Sequence, residues 1–202
     1  MKVREWMIRN PVTVSKDQGI RDCVDLMKDF SIRHLPVVEN QKLVGLVTES
    51  DLREVSSASS MEHMTVESVM IPQPITVSPD TDIEDAARLI YFNKIGGLPV
   101  VDDDQELIGI ITVMDLLEVF IDLMGVMKSS SRIDIILGDD PEAFERVSAL
   151  IRAEGGEIIS VGISGADSKT ERIYFFRLEK CDVEHITRVL QDAGFVVVSS
   201  AA

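Results

Sequence analysis

The chain has 202 residues, 35 acidic side chains against 20 Lys and Arg, a net charge of −15 and 45% hydrophobic residues. That length suits one large or two small domains, each with a core of its own, and so acidic a surface repels nucleic acid and anionic membrane, which both require basic patches. Cys23 and Cys181 are the only cysteines, far apart and without a CxxC or Cys/His ligand pattern, which argues against a disulfide framework or structural zinc and predicts a reducing, cytoplasmic setting.

The amino terminus, "MKVREWMIRNP", lacks the apolar stretch of a signal peptide. "PVTVS" then reads as a short extended start, and Ile20, Cys23, Val24 and Met27 fall at the i, i+3, i+4, i+7 spacing of an amphipathic helix. "LPVVENQKLVGLVT" reads as two apolar strands around a polar turn, and "ESDLREV" opens a second helix. After the serine-rich stretch at 56–61 the same order begins again. The most apolar long segment, 116–127, is too short to span a bilayer and carries Glu118 and Asp122, so no membrane span is predicted.

Shifted by 63 residues, the sequence meets itself. Met7-Ile8 falls on Met70-Ile71, Thr13-Val14-Ser15 on Thr76-Val77-Ser78, and Leu35-Pro36-Val37-Val38 on Leu98-Pro99-Val100-Val101. The register gives 15 identities in 33 positions between Met7 and Glu39, too many for chance. It then becomes 64, because "ENQK" is answered by "DDDQE", an extra residue of the kind a hairpin turn tolerates. Each unit reads β-α-β-β-α. So small a unit cannot cover both faces of its sheet alone, and the two are expected to pack around a shared interface. The aligned Pro36 and Pro99 are expected to shape strand starts.

Past "KSSSR" at 128–132 the pattern changes. "RIDIIL", a helix at 141–153, "GGEIISVGIS", "ERIYFFRLE", a helix at 183–193 and "FVVVSS" give β-α-β-β-α-β, a ferredoxin-like layout. Asp140-Pro141 reads as a helix N-cap followed by proline at the first helical position. The expected fold class is α/β (α+β), with repeats at 1–60 and 61–128 and a separate domain at 131–202.

The repeated "GLVTESD" and "GIITVMD" admit two readings. Thr48-x-x-Asp51 and Thr112-x-x-Asp115 have the spacing of a helix capping box, worth about 1 kcal/mol. They also follow strand-internal glycines, Gly45 and Gly109, at the strand ends where α/β layers present ligands. A carboxylate can accept both hydroxyls of a ribose diol, while a threonine hydroxyl and helix N-terminal N–H groups suit a phosphate.

The set "PVTVS", "RHLPVV", "GLVTESD", then "PITVS", "GGLPVV", "GIITVMD" resembles the cystathionine-beta-synthase (CBS) repeat, and the tandem pair resembles a Bateman module. The resemblance implies a non-catalytic regulatory protein that requires no cofactor, and a homodimer is expected. It also implies adenine-nucleotide or adenosyl binding, with AMP, ADP, ATP or S-adenosylmethionine as ligand, in two clefts between the repeats. In the first cleft it places Asp51 on the ribose, Thr48 on the phosphate, Arg33 and His34 as cationic donors, and Ile75, Ile95 and Gly96 at the base. In the second it places Asp115 and Thr112 in the same roles, with Val12 and Ile32 at the base. There Gly96 and Gly97 stand where Arg33 and His34 stand in the first, so the first cleft is expected to favour a phosphorylated ligand and the second to prefer a less charged adenosyl compound, accept one only weakly or stay empty. Long-range repulsion by the acidic chain tilts that choice towards AMP over a triphosphate at low salt.

The tail resembles an ACT domain, and the CBS pair followed by it resembles the acetoin-utilisation regulatory proteins. Ligand-binding ACT members tend to carry glycine after the proline of the first-helix loop, where this chain has Glu142 in "GDDPEA". A carboxylate there would repel an amino acid's own carboxylate. The tail is therefore expected to dimerise or meet a regulated partner, with an amino-acid sensor as the alternative.

No nucleophile motif, P-loop or metal-ligand spacing accompanies His34, His63 and His185, so no catalytic residue or metal site is expected. Asp102-Asp103-Asp104 reads as a solvated hairpin tip. The remaining rival is a structural dimeric adaptor whose Thr–Asp pairs are capping boxes and nothing more.

Overall fold

The computed structural model describes residues 1–55, 64–164 and 172–201. The serine-rich 56–61 stretch, with Met61, and His63 lie outside the described residues. Contacts divide the chain into two compact units, Met1–Leu117 and Glu118–Ala202.

In the first unit the first repeat comprises β1 (Ile8–Arg9), α1 (Ile20–Asp29), β2 (His34–Glu39), β3 (Lys42–Thr48) and α2 (Glu49–Val55). The second comprises β4 (Ile71–Pro72), α3 (Ile83–Asn93), β5 (Gly97–Val101), β6 (Leu107–Thr112) and α4 (Val113–Met124), the last running past the unit boundary. The apolar spacing read as a helix does form α1, which buries Ile20, Cys23 and Met27. Burial of Cys23 pushes its thiol up to about 11, which leaves it an inert core group.

Pairing between the repeats departs from two self-contained units. One sheet has the order β2-β3-β4 and the other β1-β6-β5, so each repeat's hairpin takes its third strand from the opposite repeat. Gly45 pairs with Pro72 and Leu46 with Ile71, while Ile8 pairs with Ile110 and Arg9 with Gly109. "PVTVS", expected as each unit's first strand, contributes a single parallel bridge, Val14 to Val37, repeated as Val77 to Val100.

The exchange has a steric cause. A Cβ on Gly45 would lie 2.6 Å from Met70 Sδ and 3.2 Å from the Ile71 carbonyl, and one on Gly109 would lie 2.7 Å from Met7 Sδ and 3.0 Å from the Ile8 carbonyl. Both glycines therefore admit a strand from the other repeat. The 3-10 turn 66–68 and the residues around it accompany β4: Val66 is fully buried in the first repeat's core with Leu35, Val37, Val47 and Leu52, and Val69 and Met70 pack on that core. The backbone repeats the exchange, with Val3 N–H donating to Thr81 O and Val66 N–H to Gln18 O. The hairpin tips also join, through Leu43 N–H to Gln105 O and Leu107 N–H to Gln41 O.

Pro36 and Pro99 sit two residues inside the edge strands β2 and β5, where a missing N–H is tolerated. At the longer tip, Asp102 Oδ1 accepts from the N–H groups of Asp104 and Glu106, so that carboxylate shapes the turn. No cluster able to hold a metal occurs among the described residues.

The second unit adds β7 (Ser130–Ile136), α5 (Ala143–Ala153), β8 (Ile158–Ile163), β9 (Ile173–Glu179), α6 (Val183–Asp192) and β10 (Val196–Ala201). Its antiparallel sheet has the order β10-β7-β9-β8, and Ile133, Ile135, Phe176 and Leu178 bury one face with Val147, Ile151, Ile186 and Leu190 of the helices. Asp140 is not the N-cap of α5. That position falls to Glu142, whose N–H donates to Asp140 Oδ1, so Asp140-Pro141 forms the turn before the helix. Among the described residues no helix is long and apolar enough to cross a membrane.

Candidate ligand site

The sequence places Thr48 at the last position of β3 and Asp51 in the first turn of α2. Asp51 Oδ2 accepts from Thr48 N–H at 2.8 Å and from Thr48 Oγ1 at 2.7 Å, and Asp51 N–H approaches Thr48 Oγ1 at 3.4 Å. This is the reciprocal capping arrangement. In the second repeat Asp115 Oδ2 likewise accepts from Thr112 N–H at 2.6 Å and Thr112 Oγ1 at 2.7 Å. In both cases one carboxylate oxygen serves the cap. The other, Oδ1, has no hydrogen-bond partner among the described residues.

His34 opens β2 directly across from Thr48. Its ring faces the second repeat: a Cβ on Gly96 would lie 2.6 Å from His34 Nε2. The structure thus gathers Thr48, Asp51, His34 and Gly96, three residues of one repeat and one of the other. Burial holds the imidazole below its ordinary value and the Arg33 charge adds to this, while Asp51 opposes them. At the equivalent place near Thr112, Gly97 lies across from the threonine, and a Cβ there would be 3.3 Å from Thr112 Cγ2. The second motif therefore has backbone where the first has an imidazole.

The remaining predicted residues divide. Ile75 is exposed and Val12 half-buried, each in the segment after its exchanged strand. Ile95 is half-buried beside Gly96. Ile32 packs on the first repeat's core and, with Arg33, lines a cavity between α1 and α2. Sequence reasoning did not single out Lys28, Glu49 and Arg53, which also line it. Position-by-position comparison of the two helical faces would have exposed them.

The family model described as "CBS domain" matches residues 3–58 and 66–122. Inosine-5'-monophosphate dehydrogenase of Methanocaldococcus jannaschii is 34% identical over 154 residues, 76% of this chain and 30% of that enzyme. The chain spans between 23% and 43% of the length of the first curated relatives it matches. Among solved structures, CBSX2 in complex with AMP is 31% identical with a TM-score of 0.55, over 59% of this chain and 96% of that one. The CBS domain pair of protein MJ0100, in complex with 5'-methylthioadenosine and S-adenosyl-L-methionine, is 29% identical with a TM-score of 0.55, over 59% and 95%. A protein assigned to acetoin utilization (AcuB) from Vibrio cholerae is 34% identical with a TM-score of 0.57, over 62% and 94%.

Proposed function

The chain belongs to the CBS domain family, and from that premise we propose that it is a non-catalytic ligand sensor binding an adenine nucleotide, AMP foremost, between its repeats. The observation that carries this reading is the uncommitted Oδ1 of Asp51 beside Thr48, His34 and Gly96. A carboxylate with one oxygen fixed and one open is already oriented for a ribose diol. The imidazole across the strand pair, neutral or protonated, carries an N–H that can donate to a phosphate oxygen. Ile75 and Ile95 supply apolar surface for the base.

The second cleft, with Asp115, Thr112, Val12 and Ile32, lacks an imidazole and suits a less charged adenosyl compound such as S-adenosylmethionine. Relatives of similar fold in complex with AMP and with S-adenosyl-L-methionine support an adenosyl ligand as the class. The output passes to a regulated partner or through a homodimer, with the second unit, in the proposal an ACT-like domain, supplying the contact surface.

Isothermal titration with AMP, ATP and S-adenosylmethionine tests the proposal on wild type, Asp51→Ala and Asp115→Ala. AMP binding lost in Asp51→Ala and kept in Asp115→Ala, with both variants folded by circular dichroism, supports it. The reciprocal Thr48–Asp51 bonds favour a second reading, a structural adaptor, and absence of heat with all three ligands from folded protein would establish that reading instead.

A further inference from the structure

The capping bonds leave the first cleft short of proton donors. Thr48 N–H and Thr48 Oγ1 both donate to Asp51 Oδ2, so the hydroxyl proton is committed and Thr48 offers a ligand only its lone pairs. A phosphate dianion is itself an acceptor and cannot use them. His34 stands directly across from Thr48 in the antiparallel pair, where opposed side chains lie about 5 Å apart. Its imidazole is therefore the group of this strand pair placed to donate to a phosphate beside Thr48.

Few charges surround that ring. Arg33 precedes it in the chain and Asp51 acts on it from α2. The strand opposite presents Thr48 and the second repeat presents Gly96, neither of which titrates. Burial and Arg33 outweigh Asp51, so by itself the imidazole is neutral at about pH 7. A dianion within hydrogen-bond reach reverses that balance, because an opposite charge at short range favours the protonated ring. In the second repeat Gly97 lies across from Thr112, so the same motif there has no imidazole to charge.

Resting on the nucleotide reading of the first cleft, we propose that a phosphorylated adenosyl ligand is bound there together with one proton, taken from solvent by His34, so that the cleft responds to nucleotide and acidity at once. The imidazolium formed offsets one of the two charges on the phosphate. Linkage fixes the sign: uptake on binding makes affinity rise as pH falls, by up to about tenfold per pH unit where a whole proton is taken up. The gain accumulates as pH falls through the raised, ligand-bound value of the imidazole. It is cut short near about pH 6, where a phosphate monoester takes up a proton itself. Because the ring lies against Gly96, the charge appears where one repeat touches the other.

The full chain, wild type and His34→Gln, is titrated calorimetrically at about pH 7 with AMP and with adenosine, each in Tris and in PIPES, buffers of different ionisation enthalpy. Wild-type AMP heats are expected to differ between buffers in the sense of proton uptake, and adenosine heats to be the same in both. His34→Gln is expected to bind AMP several-fold more weakly and without buffer dependence. Ring-proton NMR of the wild type, with the His34 signal assigned by its absence from His34→Gln, reads the same event directly even where the variant binds too weakly to titrate. AMP should move the His34 titration to higher pH and adenosine should not. AMP heats that agree between buffers, uptake that persists in His34→Gln, equal uptake with adenosine, or an unmoved His34 titration would each overturn the proposal with nucleotide binding intact. No AMP heat in either buffer would instead remove the nucleotide reading, and this one with it.

Discussion

Gly96 of the second repeat lies against the imidazole of His34 of the first, close enough that a methyl group at position 96 would fall 2.6 Å from Nε2 and 2.8 Å from Cε1. The backbone at position 96 is not left-handed, and the opposing atoms are the far end of a side chain. Gly96→Ala is therefore expected to rotate His34 away at a cost of about 1 kcal/mol or less. AMP affinity should fall several-fold while the urea midpoint barely moves. Titration and urea denaturation of the same preparation check this.

Gly45 presents the opposite case, because the backbone carbonyl of Ile71 stands 3.2 Å from the added methyl position. Gly45→Ala should push β4 off β3 and cost about 1–3 kcal/mol. Equilibrium urea denaturation reads the loss, and Gly109→Ala, facing Ile8 O, should match it.

Asp51 serves the helix cap and, in the proposal, the ligand, and two substitutions separate these roles. Asp51→Ala removes the acceptor for both Thr48 donors and is expected to cost about 1 kcal/mol together with AMP binding. Asp51→Asn keeps one carbonyl oxygen for Thr48 but turns an amide towards the diol. It should retain most of the stability and lose about tenfold in affinity. Thermal melts with and without AMP distinguish the two.

His34 makes stability depend on pH. Its folded value lies below the ordinary one of about 6.5, so between the two the unfolded chain binds more protons than the native one. The contribution is complete above about pH 6.5 and is lost as pH falls through the folded value. Melting temperature should drop between pH 7 and pH 5.5 in wild type, and His34→Gln should flatten that part of the curve.

The self-match carried most of what was legible, because identical residues at a fixed offset must occupy equivalent places. It located Gly45, Thr48 and Asp51 with their counterparts, and helical spacing located α1 and α3. It did not reveal that β1 and β4 change places, since a two-residue strand has too few side chains to show a period and nothing local names its partner. Arg33 and His34 are adjacent in sequence and read alike as cationic donors, and only packing shows that the imidazole lies against Gly96 while Arg33 lines the α1–α2 cavity. The start of α5 was misplaced for a local reason: Asp140 bonds Glu142 N–H in a turn, which delays the helix to Ala143.

The exchanged strands set the order in which this protein can be assembled. Ile8 cannot find Ile110 until about a hundred intervening residues have been laid down, a loop closure whose entropy must be met before the contact returns anything. A ribosome that has released only the first repeat has made a sheet lacking its third strand, with the edge of β3 open to any neighbouring chain. Truncation within the second repeat should therefore yield aggregation, not a smaller working module. Duplication or transfer of this fold between genes has to carry both repeats together.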